Sequence, residues 1–265
     1  MTIVDDAGAH HQIAAADARI LSLVPSITEL LFDLSLSDQL VGRTAFCIHP
    51  KPAVDDIPSV GGTKRINMDK VRALNATHAI VNIDETPKQM ADALADMGLI
   101  IVVTHPVEVA DNARLFRLIG GLFNRQTEAG TLAAELQLEI SAFRGDQTAR
   151  NVLYIIWQNP WMTISRDTYI SRFLALANWR TVAHDAAVRY PEIDLTDDLL
   201  AGVDLVLFST EPFAFTENHV EAFQRDFPAD AHKVHLIDAE MVSWYGSRAI
   251  PGLRYLRDFA AQVAP

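Results

Sequence analysis

Short apolar runs of strand length alternate with amphipathic helical stretches along most of this chain, and that rhythm leaves few folds open. Strands alternating with helices build βαβ units around a parallel sheet. The first strand is expected at Arg19-Ile20-Leu21-Ser22-Leu23-Val24. Pro25-Ser26 then opens a helix, with Ser26 as cap, Glu29 completing a capping box, and Leu30, Leu31 and Leu34 as the apolar face. Leu40-Val41-Gly42 is the second strand. Asn67 caps a helix carrying Met68, Val71 and Leu74, and His78 to Ile83 reads as a buried strand. Pro87 starts a helix that Gly98 stops. Leu99 to Thr104 is a strand, and a helix follows over Val107 to Phe123.

Thr127 to Phe143 has no proline and carries Leu132, Leu136, Ile140 and Phe143 at helical spacing, so the pattern predicts one long helix of roughly 25 Å. The rhythm then restarts: strands at Val152–Trp157, Asp204–Phe208 and Val234–Ile237, and helices at Tyr169–Ala177, His219–Phe227 and Pro251–Val263. The expected fold is α/β. Two Rossmann-like lobes with central parallel sheets, residues 1–125 and 146–265, are joined by a single long backbone helix over 126–145, with a ligand cleft between the lobes.

Composition closes off several functions. Twenty-two Lys and Arg against 34 Asp and Glu give a net charge of −12, which argues against non-specific nucleic-acid binding and against a basic membrane-surface helix. No apolar run approaches the roughly 20 residues of a bilayer span. The single cysteine excludes an internal disulfide. Met1 to Ala18 (MTIVDDAGAHHQIAAADA) shows no basic or apolar signal region and no cysteine to carry a lipid, so a cytoplasmic location is expected from the chain as written, with His10 and His11 in a frayed start.

In open α/β sheets ligands bind beyond the carboxyl ends of the strands, so the informative residues follow each strand. After the second strand come Phe46, Cys47 and His49; Cys47 and His49 could reach a soft metal, or be one buried thiol and one solvated imidazole. Gly61-Gly62-Thr63-Lys64 matches no phosphate loop, but suggests backbone close to a ligand with Lys64 as an anion contact, or a plain turn. Trp157 reads as core, and Trp161, beside Pro160 and followed by Met162, as the better ligand wall. Tyr190, then Glu211 and Phe213, then Trp244, Tyr245 and Arg248 complete the set. The aromatics would stack a planar ligand, while Arg248 pairs with its rim or bridges the lobes. No nucleophile–base–orienter set and no GxSxG elbow is present, so an enzyme is not expected.

RILSLVPSITELLFDLSLSDQLVG, IPSVGGTKRINMDKVRALNATHAIV and the FCIHP, PWMT, TEPF and SWYGSR segments resemble the helical-backbone, class III substrate-binding proteins of ABC importers for vitamin B12 and iron chelates, and most of all their cobalamin-binding members. The resemblance runs over nearly the whole chain from Arg19. It implies two lobes that barely hinge and a ligand gripped by Phe46 on the first lobe and by Met162, Tyr190 and the Trp244-Tyr245 turn on the second. It also implies no required cofactor, a periplasmic monomer, and an ABC permease dimer docked through Asp69 and Asp197, where the family usually has Glu. A tryptophan of the B12 receptors near GGTK is replaced here by Thr63-Lys64. The ligand implied is cobalamin or another corrinoid; the alternative is haem, a siderophore or a metal bound directly through His49, Cys47 and Glu211, in an intracellular carrier.

Overall fold

The computed structural model describes residues 3–143, 148–185 and 187–263. The chain divides into two compact units. The first comprises 1–106, 110–137 and 245–248; the second comprises 107–109, 138–244 and 249–265. The expected boundary at 145–146 lies outside the described residues.

The first unit begins with a two-stranded antiparallel hairpin, β1 (Ile3–Val4) and β2 (His10–His11). This corrects the expected frayed start. The Asp5 carboxylate accepts hydrogen bonds from the N–H groups of Ala7, Ala9 and Val103, and contacts the buried His11 ring at 3.0 Å. Four parallel strands follow: β3 (Ile20–Ser22), β4 (Leu40–Arg43), β5 (His78–Asn82) and β6 (Ile100–Thr104), in the order β4-β3-β5-β6. All five residues of β5 are buried, as a parallel strand covered on both faces requires. Between them lie α1 (Pro25–Asp33), α2 (Met68–Ala73) and α3 (Lys88–Asp96). Pro25 stands in the first turn of α1 with Val24 as its cap, so Ser26 falls inside the helix and the expected capping box does not form. Asn67 does cap α2, accepting from the N–H groups of Asp69 and Lys70.

The helix expected from Val107 starts later: a 3-10 turn over Val109–Asp111 leads into α4 (Asn112–Leu122). The long helix is α5 (Gln126–Ser141). Of the expected face Leu136 is buried and Leu132 and Ile140 are half-buried; Ala129 and Ala133 complete the buried stripe. The small side chains allow a close approach: a Cβ on Gly120 of α4 would lie 2.5 Å from that of Ala129.

In the second unit β7 (Arg150–Trp157) is central. It pairs antiparallel with the short β8 (Met162–Thr163), and parallel with β9 (Trp179–Thr181) and β10 (Leu205–Ser209), beyond which lies β11 (Val234–Ile237). The helices are α6 (Tyr169–Ala175), α7 (Asp197–Ala201), α8 (Glu217–Asp226), α9 (Ala239–Ser243) and α10 (Ala249–Gln262). Short β8, β9, α7 and α9 carry too few residues for a period to show in the sequence. The core here is strongly aromatic: Phe208, Phe215 and Phe223 pack with Leu153, Ile155 and Val206.

Candidate functional site

The loops at the carboxyl ends of the parallel strands carry most of the candidate residues. In the first unit the chain leaves β4 with alternating directions. Phe46 (60% exposed) and Ile48 point outward, while Cys47 is fully buried against the Thr44 hydroxyl at 3.2 Å. Burial pushes the Cys47 thiol up, with bonds from Thr28 and Thr44 opposing it, so the thiolate a soft metal needs is disfavoured. Half-buried His49 lies near enough to Glu29 for its charge to be felt there. The Cys47–His49 pair is thus split between the core and the loop surface. Among the described residues no group of three or more His, Cys, Asp or Glu is placed to hold a metal ion.

The glycine pair has a backbone reason. Gly61 has φ +134°, and a Cβ there would meet the Arg65 carbonyl at 2.8 Å. A Cβ on Gly62 would touch the Phe46 ring at 3.4 Å. Gly61 and Gly62 thus form a tight turn onto which Phe46 lies. Thr63 is half-buried in the same turn. Lys64, expected as an anion contact, reaches back to the loop after β5 and donates to the Glu85 carbonyl at 2.7 Å. That loop also exposes Ile83 (50%).

Glu85 was not singled out by sequence, because a lone glutamate after Asp84 reads as a solvated loop residue. Its Oε1 accepts from the Tyr245 hydroxyl at 2.5 Å. Burial pushes the Glu85 carboxyl up, opposed by Tyr245 and by the Lys64 charge. The turn expected on the second lobe therefore splits at Trp244: Tyr245 to Arg248 belong to the first unit. Two further contacts hold them. The Gly246 N–H donates to Asn112 Oδ1 at 2.6 Å, and Arg248 Nε donates to Glu29 Oε2 at 2.8 Å. Tyr245 and Arg248 are both nearly buried. Arg248 pairs with the half-buried Glu29 carboxylate of its own unit.

In the second unit the two tryptophans exchange their expected places. Trp157, at the end of β7, is 39% exposed, with its ring edge-to-face on Phe213 at 5.5 Å. Trp161 is half-buried and stacks on Phe215 (6.3 Å, 2°) and Phe208 (5.9 Å, 27°), on the core. Met162 sits opposite Trp157 in the β7–β8 ladder. Residues 189–193 run alongside this segment: the Thr163 N–H donates to the Pro191 carbonyl and Ile193 N–H to that of Trp161, which leaves Tyr190 47% exposed. After β10, Ser209 Oγ donates to the Glu211 carbonyl, and Glu211 Oε2 accepts from Trp244 Nε1 at 3.3 Å. Trp157, Met162, Tyr190, Phe213 and the Glu211–Trp244 pair are thus the candidates on this unit. Asp69 and Asp197 are exposed in the first turns of α2 and α7; Asp69 pairs with Arg72 at 2.7 Å.

These surfaces offer rings and a few carboxylates. No helix of the described residues is long and apolar enough to cross a membrane. A family model described as periplasmic binding protein matches residues 20–226. The vitamin B12-binding protein of Photorhabdus laumondii is 22% identical over 202 residues, covering 75% of this chain and 73% of that one. The vitamin B12-binding protein of Yersinia pestis is 25% identical over 184 residues, covering 68% and 65%. Two solved structures share the fold. The periplasmic vitamin B12-binding protein BtuF of Vibrio cholerae has a TM-score of 0.79 at 19% identity, over 92% of this chain and 97% of that one. The periplasmic heme-binding protein RhuT of Roseiflexus sp. RS-1 has a TM-score of 0.78 at 20% identity, over 93% and 99%.

Proposed function

The chain belongs to the periplasmic binding protein family, and from that premise we propose that it is a substrate-binding protein for a large, partly planar metal chelate, a corrinoid such as cobalamin, which it delivers to an ABC importer. The observation that carries the reading is the set of large apolar side chains left in water after the strands: Phe46 and Ile83 on one unit, Trp157 and Tyr190 on the other. Rings exposed at strand ends are costly unless a flat guest covers them. Stacking on such surfaces supports micromolar to nanomolar affinity, about −8 to −12 kcal/mol. The vitamin B12-binding relatives favour a corrinoid as that guest.

In this reading the protein works as a monomer in the periplasm, with Asp69 and Asp197 as exposed acids that meet the permease. Isothermal titration with cyanocobalamin tests the ligand. Saturable heat at micromolar protein, weakened by Phe46→Ala and by Trp157→Ala, supports it, and the absence of heat removes the corrinoid. A second reading, haem or an iron chelate ligated directly, draws on the haem-binding structural neighbours and on His49 beside the exposed Phe46. A hemin absorbance shift that His49→Ala abolishes, with no response to cyanocobalamin, would favour it.

A further inference from the structure

We propose that His105 ligates the metal of the bound chelate through Nδ1, with Asp84 and Asp6 as its positioning residues. The assignment rests on the corrinoid reading and adds a bond from the protein to the cobalt.

β5 and β6 run side by side with Asn82 opposite Thr104, so Asp84 and His105 leave the carboxyl end of the sheet together. That is the end at which open α/β sheets take their ligands. The Ile83 N–H donates to the Thr104 carbonyl at 3.2 Å and sets the two loops against each other. Asp84 Oδ2 lies 3.3 Å from His105 Nε2, and the two side chains are 36% and 30% exposed. A carboxylate facing Nε2 favours the tautomer with its hydrogen there and leaves the lone pair on Nδ1. Metal-binding imidazoles are ordinarily held in this way.

The pair is anchored on both sides, all within the first unit. On one side the His105 N–H donates to Asp6 Oδ2 at 2.5 Å, and the Asp6 side chain is buried and pairs with Arg114. The Asp6 N–H in turn donates to the Val103 carbonyl at 3.1 Å, so the amino-terminal hairpin fixes the backbone of His105. On the other side the Asp84 N–H donates to Oδ1 of the buried Asn82 at 2.8 Å. The Asp84 carbonyl accepts from Lys64 Nζ at 3.5 Å, which ties this loop to the turn on which Phe46 lies. A partly exposed pair of this kind contributes little to stability, so its fixed geometry is better explained by a ligand.

A bare cation needs several protein ligands, and among the described residues no group of three or more His, Cys, Asp or Glu is placed to supply them. A chelated metal differs. The macrocycle fills the equatorial positions, and one imidazole, a good ligand for first-row transition metals, completes the axial one. The Nδ1–cobalt bond forms as a cobalt-bound water leaves, with no change of oxidation state.

Two corrins separate ligation from stacking. Aquahydroxocobinamide has exchangeable axial ligands on its cobalt, whereas dicyanocobinamide, in excess cyanide, has none that imidazole displaces. In titrations of the intact protein, His105→Ala should weaken the first corrin at least about tenfold and Asp84→Asn should weaken it less, while neither changes the second more than about twofold. The dicyano form thereby checks that each variant is folded. Cob(II)inamide bound without oxygen gives a direct signature. In its EPR spectrum one axial nitrogen splits the cobalt lines into triplets, which become doublets when the protein carries ¹⁵N-histidine. The splitting should be present in the parent protein and in His49→Ala, and absent from His105→Ala. A bound corrin without nitrogen splitting, or a splitting that His49→Ala removes, overturns the proposal and leaves the corrinoid reading intact. Equal weakening of both corrins in His105→Ala also overturns it and assigns the ring to packing. Binding of neither corrin by the parent protein removes the corrinoid reading and this inference with it.

Discussion

Replacing Arg248 by methionine separates a structural arginine from a ligand-binding one. The side chain is 9% exposed and its Nε lies 2.8 Å from Glu29 Oε2. Removing one member of a buried ion pair strands the other, at about 3–5 kcal/mol, which is a large part of a domain's total stability. Glu29 has a partial escape. Its carboxyl is already raised by burial, with Arg248 opposing and the charges of Asp33 and His49 adding smaller contributions. Losing Arg248 raises it further. A raised carboxyl binds its proton more tightly folded than unfolded, so its penalty is relieved below its ordinary value and grows as pH rises through the folded value. Asp33, also raised by burial and also near Arg248, follows the same sign. The cost of Arg248→Met should therefore be greatest above neutrality and shrink toward pH 5. All four tryptophans (157, 161, 179 and 244) lie in the second unit, so tryptophan fluorescence does not report the first unit directly. Hydrogen exchange at β3 to β5, read by mass spectrometry across pH, does. The double variant Glu29→Gln with Arg248→Met should recover much of the loss. Exchange within about 0.5 kcal/mol of the parent protein at pH 8, together with lost ligand binding, would refute the structural assignment and return Arg248 to the ligand.

Three further outcomes follow from single contacts. Asp5→Ala should open the amino-terminal hairpin at a cost of about 2–3 kcal/mol, seen as faster exchange at Val103. Burial raises the Asp5 carboxyl but the bonds from Val103, His11, Ala9 and Ala7 outweigh it and hold it low, so its contribution is present above the ordinary carboxylate value and fades as pH falls through the folded one. Trp161→Ala should cost about 2–4 kcal/mol of stability through its lost stacking on Phe208 and Phe215, whereas Trp157→Ala should lower ligand affinity with little change in urea midpoint. Gly61→Ala should destabilise by about 1–3 kcal/mol, since its φ of +134° and the 2.8 Å approach of the Arg65 carbonyl both oppose a side chain; the exposed helical Gly130, with open space around it, should gain up to about 1 kcal/mol on the same change.

The strands that sequence located best are those buried on both faces. His78 to Asn82 and Leu205 to Ser209 are buried throughout and read as largely apolar runs because parallel strands covered on both faces have little polar side to show. The hairpin at the start escaped because its anchor is polar. Asp5 and His11 look solvated until Val103, 98 residues on, supplies the buried N–H that fixes them. The capping box at Ser26 failed for a related reason. Pro25 and Val24 set the helix start, and Glu29 is drawn to Arg248, 219 residues away. Local signals named the elements; distant partners decided what the polar residues in them do.

The same division explains the site. Phe46 left two readings open, a packed ring or a ligand contact; with Cys47 turned into the core, the Phe46 ring is exposed. Trp157 reads as core and Trp161 as the ligand wall, the reverse of their exposure. Their environments depend on Phe208, Phe213 and Phe215, about 50 residues later, and the proline beside Trp161 misled toward a solvent-facing loop. Lys64 reads as an anion contact or part of a plain turn, and Arg248 as a ligand contact or a lobe bridge, because an isolated cation in a loop has no visible partner in the sequence. Glu85 was passed over because an isolated acid has none either. The fold supplies the partners: the Glu85 backbone for Lys64, the Glu85 carboxyl for Tyr245 and the Glu29 carboxyl for Arg248. The return segment 245–248 is thus held by Glu85, Asn112 and Glu29, partners that no local reading of the sequence pairs with it.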